Sequence, residues 1–257
     1  MSGADAAADR DRKAGDTATA LDRALRENGY SFLSADDMRV LLDPAALDRW
    51  DGFAESWNHL GVDRYMADGG RYRRRRHAVF VTTDRPDGSG FERKAHQPHY
   101  QSRDFNELNG GIERWFTPVD DAVANHPVLL SILSRARATF DALTPPGARP
   151  ENWHVELHQF RIEPTAGEDG QPTPEGLHRD GVDWVLVLLV RRENVESGDT
   201  SIHDAQRRPL GTFTLREPLD ATFVDDSRVY HGVTAIRPID QSRPAYRDVL
   251  VVTFRRQ

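Results

Sequence analysis

A chain of 257 residues with 38% hydrophobic and 9% aromatic content can bury a core, which excludes a wholly disordered protein. Its formal charge of −7 argues against a general nucleic-acid binder, which presents a net basic face to phosphate. The absence of cysteine excludes disulfides, zinc fingers and thiol catalysis.

No apolar run approaches the ~20 residues that span a bilayer, so no membrane partner is expected and the cytoplasm is the simplest placement. The opening stretch MSGADAAADRDRKAGDTATA is small and polar and lacks a hydrophobic signal region. It predicts a disordered tail over 1–16, followed by a single domain over 17–257. Three helices are expected next. ATALDRALRENGY ends at Gly29, a suitable cap residue. PAALDRWDGFAESWNHLG, residues 44–61, spaces Leu47, Trp50, Phe53, Ala54 and Trp57 on one helical stripe behind Pro44. PVLLSILSRARATFDALTPPG, residues 127–147, does the same with Val128, Leu129, Ile132, Leu133, Ala136, Phe140 and Leu143.

Between these helices, RYRRRRHAVF packs five arginines into residues 71–76. The run suits either an anion site or a charged strand edge that discourages pairing. On a strand, Arg71, Arg73 and Arg75 would share one face, and Arg74 and Arg76 the other. HAVFVTT and IERWFT are candidate strands. From Trp153 onward the elements are short and β-rich: WHVELHQFRI, WVLVLLV, TSIHD, GTFTL, ATFVDD, HGVTAI and DVLVVTF. The fold class is therefore mainly β with flanking helices (α+β). A helical part over about 17–150 packs outside a jelly-roll over about 151–257.

Chemistry concentrates in PEGLHRDGVDWVLVLLV, residues 174–190. His178 and Asp180 sit at i and i+2, where an extended chain offers one face to both. His231, at a loop-to-strand junction in ATFVDDSRVYHGVTAI, is the best-placed third ligand among ten histidines. Two histidines and a carboxylate form the facial triad of non-haem Fe(II) oxygenases, with positions left open for co-substrates. His154 and Glu156 in HVE are a competing pair. The later pair is favoured because Gly176 and Gly181 flank it, where backbone can yield space to ligands. A 2-oxoglutarate co-substrate would also need an arginine for its distal carboxylate. Arg247 opens the last strand, whereas Arg237 and Arg243 each precede a proline.

These residues resemble the Fe(II)/2-oxoglutarate-dependent dioxygenases. More narrowly, PEGLHRDG, ATFVDDSRVYHGVTAI and YRDVLVVTF are similar to the bacterial branch that includes L-isoleucine 4-hydroxylase and related free-amino-acid hydroxylases. The likeness extends over about residues 70–255. It implies a double-stranded β-helix core, iron on His178, Asp180 and His231, 2-oxoglutarate anchored by Arg247, and O2 as the other co-substrate. The chain departs from the branch at ESGDTSIHD, where Ser197, Gly198 and Asp199 stand in place of an expected Gly-Gly pair. Related halogenases lack the carboxylate ligand, so the presence of Asp180 implies oxygen transfer. The expected substrate is a small molecule, a free L-amino acid. Glu175 and Asp183 are candidates for its ammonium, and Arg161, Arg74 and Arg76 for its carboxylate. Gln159, sharing a strand face with Arg161, is a candidate to line the co-substrate pocket. A carrier-bound or other natural-product intermediate is the alternative substrate. A non-catalytic jelly-roll with a closed metal site is the alternative class.

Overall fold

The opening residues from Gly3 onward are rich in alanine and free of proline, and they are helical rather than disordered. In the computed structural model, which describes residues 3–84 and 90–257, helix α1 runs Gly3–Asn28. The expected tail over 1–16 is thus corrected from residue 3 onward; its first two residues lie outside the described range. Alanine's high helix propensity favours this outcome, and buried Leu21 and Leu25 dock the C-terminal half of the helix. The helix stops at Gly29, whose φ of 77° suits only a residue without a Cβ. Strand β1 (Tyr30–Leu33) and helix α2 (Ala35–Leu41), with a Ser34/Asp37 capping box, follow.

The single helix expected over 44–61 is instead α3 (Pro44–Leu47), α4 (Trp50–Glu55) and a 3-10 turn over Ser56–His59. The break falls at Asp48 and Arg49, where the Arg49 amide bonds back only three residues to Ala46. It lets Trp57 press into the core, its indole N–H shared between the carbonyls of Phe160 (3.1 Å) and Val249 (3.3 Å). Strands β2 (Arg73–Thr82) and β3 (Phe91–Arg93) come next, then helices α5 (Asp121–Ala124) and α6 (Pro127–Leu143). The IERWFT segment is not a strand; Arg114 forms only an isolated bridge with His99.

The remaining strands are β4 (Trp153–Ile162), β5 (Trp184–Glu193), β6 (Val195–Ser197), β7 (Asp199–His203), β8 (Pro209–Thr214), β9 (Ala221–Asp225), β10 (Tyr230–Val233), β11 (Ile236–Pro238) and β12 (Tyr246–Arg256). They build a jelly-roll: a seven-stranded antiparallel sheet in the order β1-β9-β5-β12-β4-β2-β3, faced by a three-stranded sheet β10-β7-β8. A short pair, β11-β6, flanks it. The expected division near residue 150 does not hold as drawn. Strands β1, β2 and β3 come from the part read as helical, yet belong to the main sheet.

Strand β5 shows why an unbroken apolar run was needed. Leu186, Leu188 and Val190 face the helices and join Phe53, Ile132, Leu133 and Phe140 in the largest core cluster. Val185 and Leu189 face the other way, against Ile202 and Leu215 of the opposing layer. A strand buried on both sides loses polar alternation. The helices thus seal one face of the main sheet, and the space between the two sheets is left for a cavity. No helix among the described residues is long and apolar enough to cross a membrane.

Candidate active site

A cavity of about 320 Å³ lies between the sheets, and His178, Asp180, His231 and Arg247 all line it. His178 does not sit on a strand proper. It is stapled to β10 by two backbone hydrogen bonds of 2.9 Å exchanged with His231, so the two imidazoles stand side by side, 4.5 Å between ring centres. Gly232 permits this closeness, since a Cβ there would stand 3.2 Å from the Gly176 carbonyl oxygen. The Nδ1 of His178 donates to the Gly176 carbonyl (3.0 Å), which leaves Nε2 as the nitrogen aimed into the site, the one that would give up its proton to an ion. Asp180 then completes the group: Oδ1 lies 3.7 Å from His178 Nε2 and Oδ2 lies 3.5 Å from His231 Nε2.

Asp180 is held by a residue the sequence reading missed. The carboxylate of buried Asp226 accepts the backbone N–H groups of Asp180, Gly181 and Val182, at 2.9, 2.8 and 3.1 Å. Gly181, with φ 79°, is required in this turn because a Cβ would collide with the Phe105 ring. Burial opposes charge on Asp180, but the two imidazoles hold its carboxyl well below the usual range. Burial likewise opposes charge on His178, yet Asp180 and Glu175 raise it to about 9. The group therefore favours a positive charge at its centre. Adjacent ligands around an octahedral ion with ~2.1 Å bonds stand ~3 Å apart, close to the observed spacings. Two imidazoles and one carboxylate grouped in this way, with open cavity beside them, fit a non-haem Fe(II) centre.

Arg247 is 2% exposed and lines the same cavity, yet its Nε and Nη2 have no partner. Burial pulls its guanidinium down to about 10. A buried cation without an anion is costly, and a carboxylate suits the vacant fork. Gly198, in the segment where the chain departs from its resemblance, lies beside it; a Cβ there would collide with Ile236 Cγ2 at 2.8 Å and crowd Arg192 Nη1 at 3.2 Å. Ser197 adopts a left-handed φ of 62°.

The other expected site residues divide by strand parity. On β4 the inward residues are Glu156, His158, Phe160 and Ile162, so Gln159 and Arg161 face the helices. Gln159 donates to Ser56 Oγ (3.0 Å), and Arg161 makes a two-pronged pair with Asp248 (2.7 Å each). On β2 the inward set is Arg73 and Arg75. Arg74 pairs with Glu163 (2.6 Å), and Arg76 binds the carbonyls of Pro118 and His59 and the carboxylate of Asp120. Asp183 binds the backbone N–H and Nε of Arg256 at the strand end. None of these five lines the cavity. Glu175 does: its Oε1 stands 3.6 Å from His178 Nε2, and its Oε2 has no partner. The arginine run is no free edge: β4 pairs with it on one side, and on the other the Asp63 N–H donates to the Arg73 carbonyl and the Arg75 N–H to the Gly61 carbonyl.

A second cluster, of which the sequence showed only the competing pair His154 and Glu156, lies further along the cavity wall. Glu156 accepts from His77 Nε2 (3.1 Å), His154 Nε2 (3.1 Å) and His99 Nδ1, with His158 Nε2 at 3.7 Å. The signal was in the sequence as HVELH, three such residues at i, i+2 and i+4. Arg75, clamped between Phe116 and Phe160, donates to His158 Nδ1 (3.0 Å). Arginine can only donate, so neutral His158 carries its hydrogen on Nε2 and has no lone pair for an ion. Burial, against the pull of Glu156, lowers His99 to about 4 and also lowers His77; burial and Arg75 lower His158. The cluster is a carboxylate held by imidazole N–H donors.

Comparison with known proteins agrees with this chemistry. The sequence profile of the 2OG-Fe dioxygenase family matches residues 54–253. L-isoleucine-4-hydroxylase of Bacillus thuringiensis is 28% identical over 225 residues, covering 87% of this chain and 86% of its own. The 3(1)-hydroxy-L-isoleucine 4-dioxygenase of Pantoea ananatis is 23% identical, with 90% and 94% covered. Among solved structures, a bsmA homologue from Methylobium petroleophilum superposes with a TM-score of 0.82 at 36% identity, over 93% of each chain.

Proposed function

Because the chain belongs to the 2OG-Fe dioxygenase family, with Fe(II), 2-oxoglutarate and O2 as its cofactor and co-substrates, we propose that it hydroxylates an unactivated C–H of a free L-amino acid. In this reading His178, Asp180 and His231 hold the iron, and Arg247 binds the distal carboxylate of 2-oxoglutarate. The observation that carries it is the fully buried, unpartnered guanidinium of Arg247 in the same cavity as the three ligands. Two relatives named for action on isoleucine or its hydroxylated form support the substrate class.

When bound, iron with 2-oxoglutarate and O2 couples oxidative decarboxylation of the keto acid to oxygen insertion into a C–H bond. The chain's own residues supply geometry. Gly176 fixes the His178 tautomer, Asp226 fixes the turn bearing Asp180, and the Val187, Val249 and Val251 side chains keep the cavity wall apolar. No side-chain general base is required. Anaerobic addition of Fe(II) and 2-oxoglutarate is expected to give a weak visible charge-transfer band. In air, a screen of the proteinogenic amino acids is expected to reveal one that stimulates succinate release and gains one oxygen by mass. Persistence of the band in a His178→Ala, Asp180→Ala double variant would refute the ligand assignment.

A further inference from the structure

Two charged side chains on the metal side of the cavity are left without adequate partners. Arg114 is 2% exposed, its Nε has no partner, and its Nη2 reaches Gln101 Oε1 only at 3.5 Å. It is nonetheless held in place, because its backbone exchanges two hydrogen bonds with His99. Gln101 in turn donates to the Asp180 carbonyl (3.0 Å), so Arg114 is one side chain removed from the metal-ligand turn. On the other side, Glu175 stands against His178 with Oε2 buried and unpartnered. Both line the cavity and feel one another's charge, but their side chains do not meet in a salt bridge. Unmet hydrogen-bonding capacity on buried charges is costly and calls for a ligand that supplies both partners.

We infer that Arg114 and Glu175 form a clamp for the two charged groups of an α-amino acid, Arg114 taking the carboxylate and Glu175 the ammonium. This rests on the proposed function and narrows it. The substrate must be a free zwitterion, because a carrier thioester lacks the carboxylate and an N-acylated residue lacks the ammonium. The neighbouring arginines are already engaged. Arg73 is paired with Asp63 (2.8 Å), and Arg75 is held by His158 and two aromatic rings. Arg255, at the end of β12, also lines the cavity but is exposed, so Arg114 is the buried guanidinium left for a substrate carboxylate, as Arg247 is for the keto acid.

The test uses the wild-type chain with Fe(II), 2-oxoglutarate and the amino acid that best stimulates succinate release, alongside its carboxamide and its N-acetyl derivative. Loss of one charge-assisted contact is expected to raise the half-saturating concentration about 10- to 100-fold for each derivative. Glu175→Gln is expected to abolish discrimination against the N-acetyl form while keeping that against the amide. Arg114→Met is expected to do the reverse. A merely structural role would weaken all three ligands alike, and that outcome would overturn the clamp. So would equal use of free acid, amide and N-acetyl form by the wild type, which needs no variant to fold. A normal anaerobic band with no response to any amino acid would sink the clamp but leave the oxygenase chemistry standing; absence of the band would sink the parent reading itself.

Discussion

Arg247 illustrates how one residue can be placed at the expense of the empty fold. Its guanidinium is buried without an anion, so replacing it by an apolar side chain of similar length relieves the cost of an unpaired charge. Arg247→Met is expected to raise the stability of the ligand-free chain by about 1–3 kcal/mol. It is also expected to abolish the further rise in unfolding temperature that Mn(II) and 2-oxoglutarate give the wild type; thermal unfolding with and without both ligands reads the two effects. Asp226 acts at one remove, by gathering three backbone amides of the Asp180 turn. Asp226→Asn is expected to weaken metal affinity about 10- to 100-fold, measured by competition titration. His178 and Asp180, proposed as metal ligands, were legible in the sequence because H-x-D flanked by Gly176 and Gly181 is a local pattern. Asp226 was not, since its role lies in amides 44 to 46 residues away, and any acid in ATFVDD could have served.

For a whole strand, what could not be read was parity. The pattern in WHVELHQFRI marks β4 as a strand, but both its faces are buried, so polarity does not say which one meets the cavity. Gln159 and Arg161 were assigned to the wrong side for that reason, and the same one-residue ambiguity misplaced Arg74 and Arg76 on β2. The inward face of β4 has its own consequence. His99 lies near 4 in the fold against an ordinary value of 6.5, and His77 and His158 are lowered too. Between those limits the unfolded chain binds more protons than the folded one, so stability rises with pH there. The contribution is complete above about 6.5 and is lost as pH falls towards about 4. Urea midpoints are expected to drop steadily across that window, and His99→Gln is expected to flatten the decline.

Across the molecule, the layered arrangement was legible from the contrast between helical stripes and β-rich segments, and the contribution of early strands to the main sheet was not. Pairings such as Leu33 with Ala221 or Arg76 with Gln159 span long stretches of chain, and no local signal announces them. Among the described residues two clusters of potential ligands share the interior, but in the one around Glu156 the His158 Nδ1 lone pair is already taken by Arg75. Elemental analysis of the reconstituted protein is accordingly expected to give one iron per chain, falling to none in His231→Ala. Strand β12 runs through the middle of the sheet, bonded along its length to β4 and β5. It carries Arg247 at one end and Thr253, opposite Glu156, near the other, a rise of roughly 20 Å at ~3.4 Å per residue. It serves as a ruler: a backbone clamped on both edges cannot stretch, so swapping side chains along it can reshape the chamber's width while the span from Arg247 to Thr253 stays fixed.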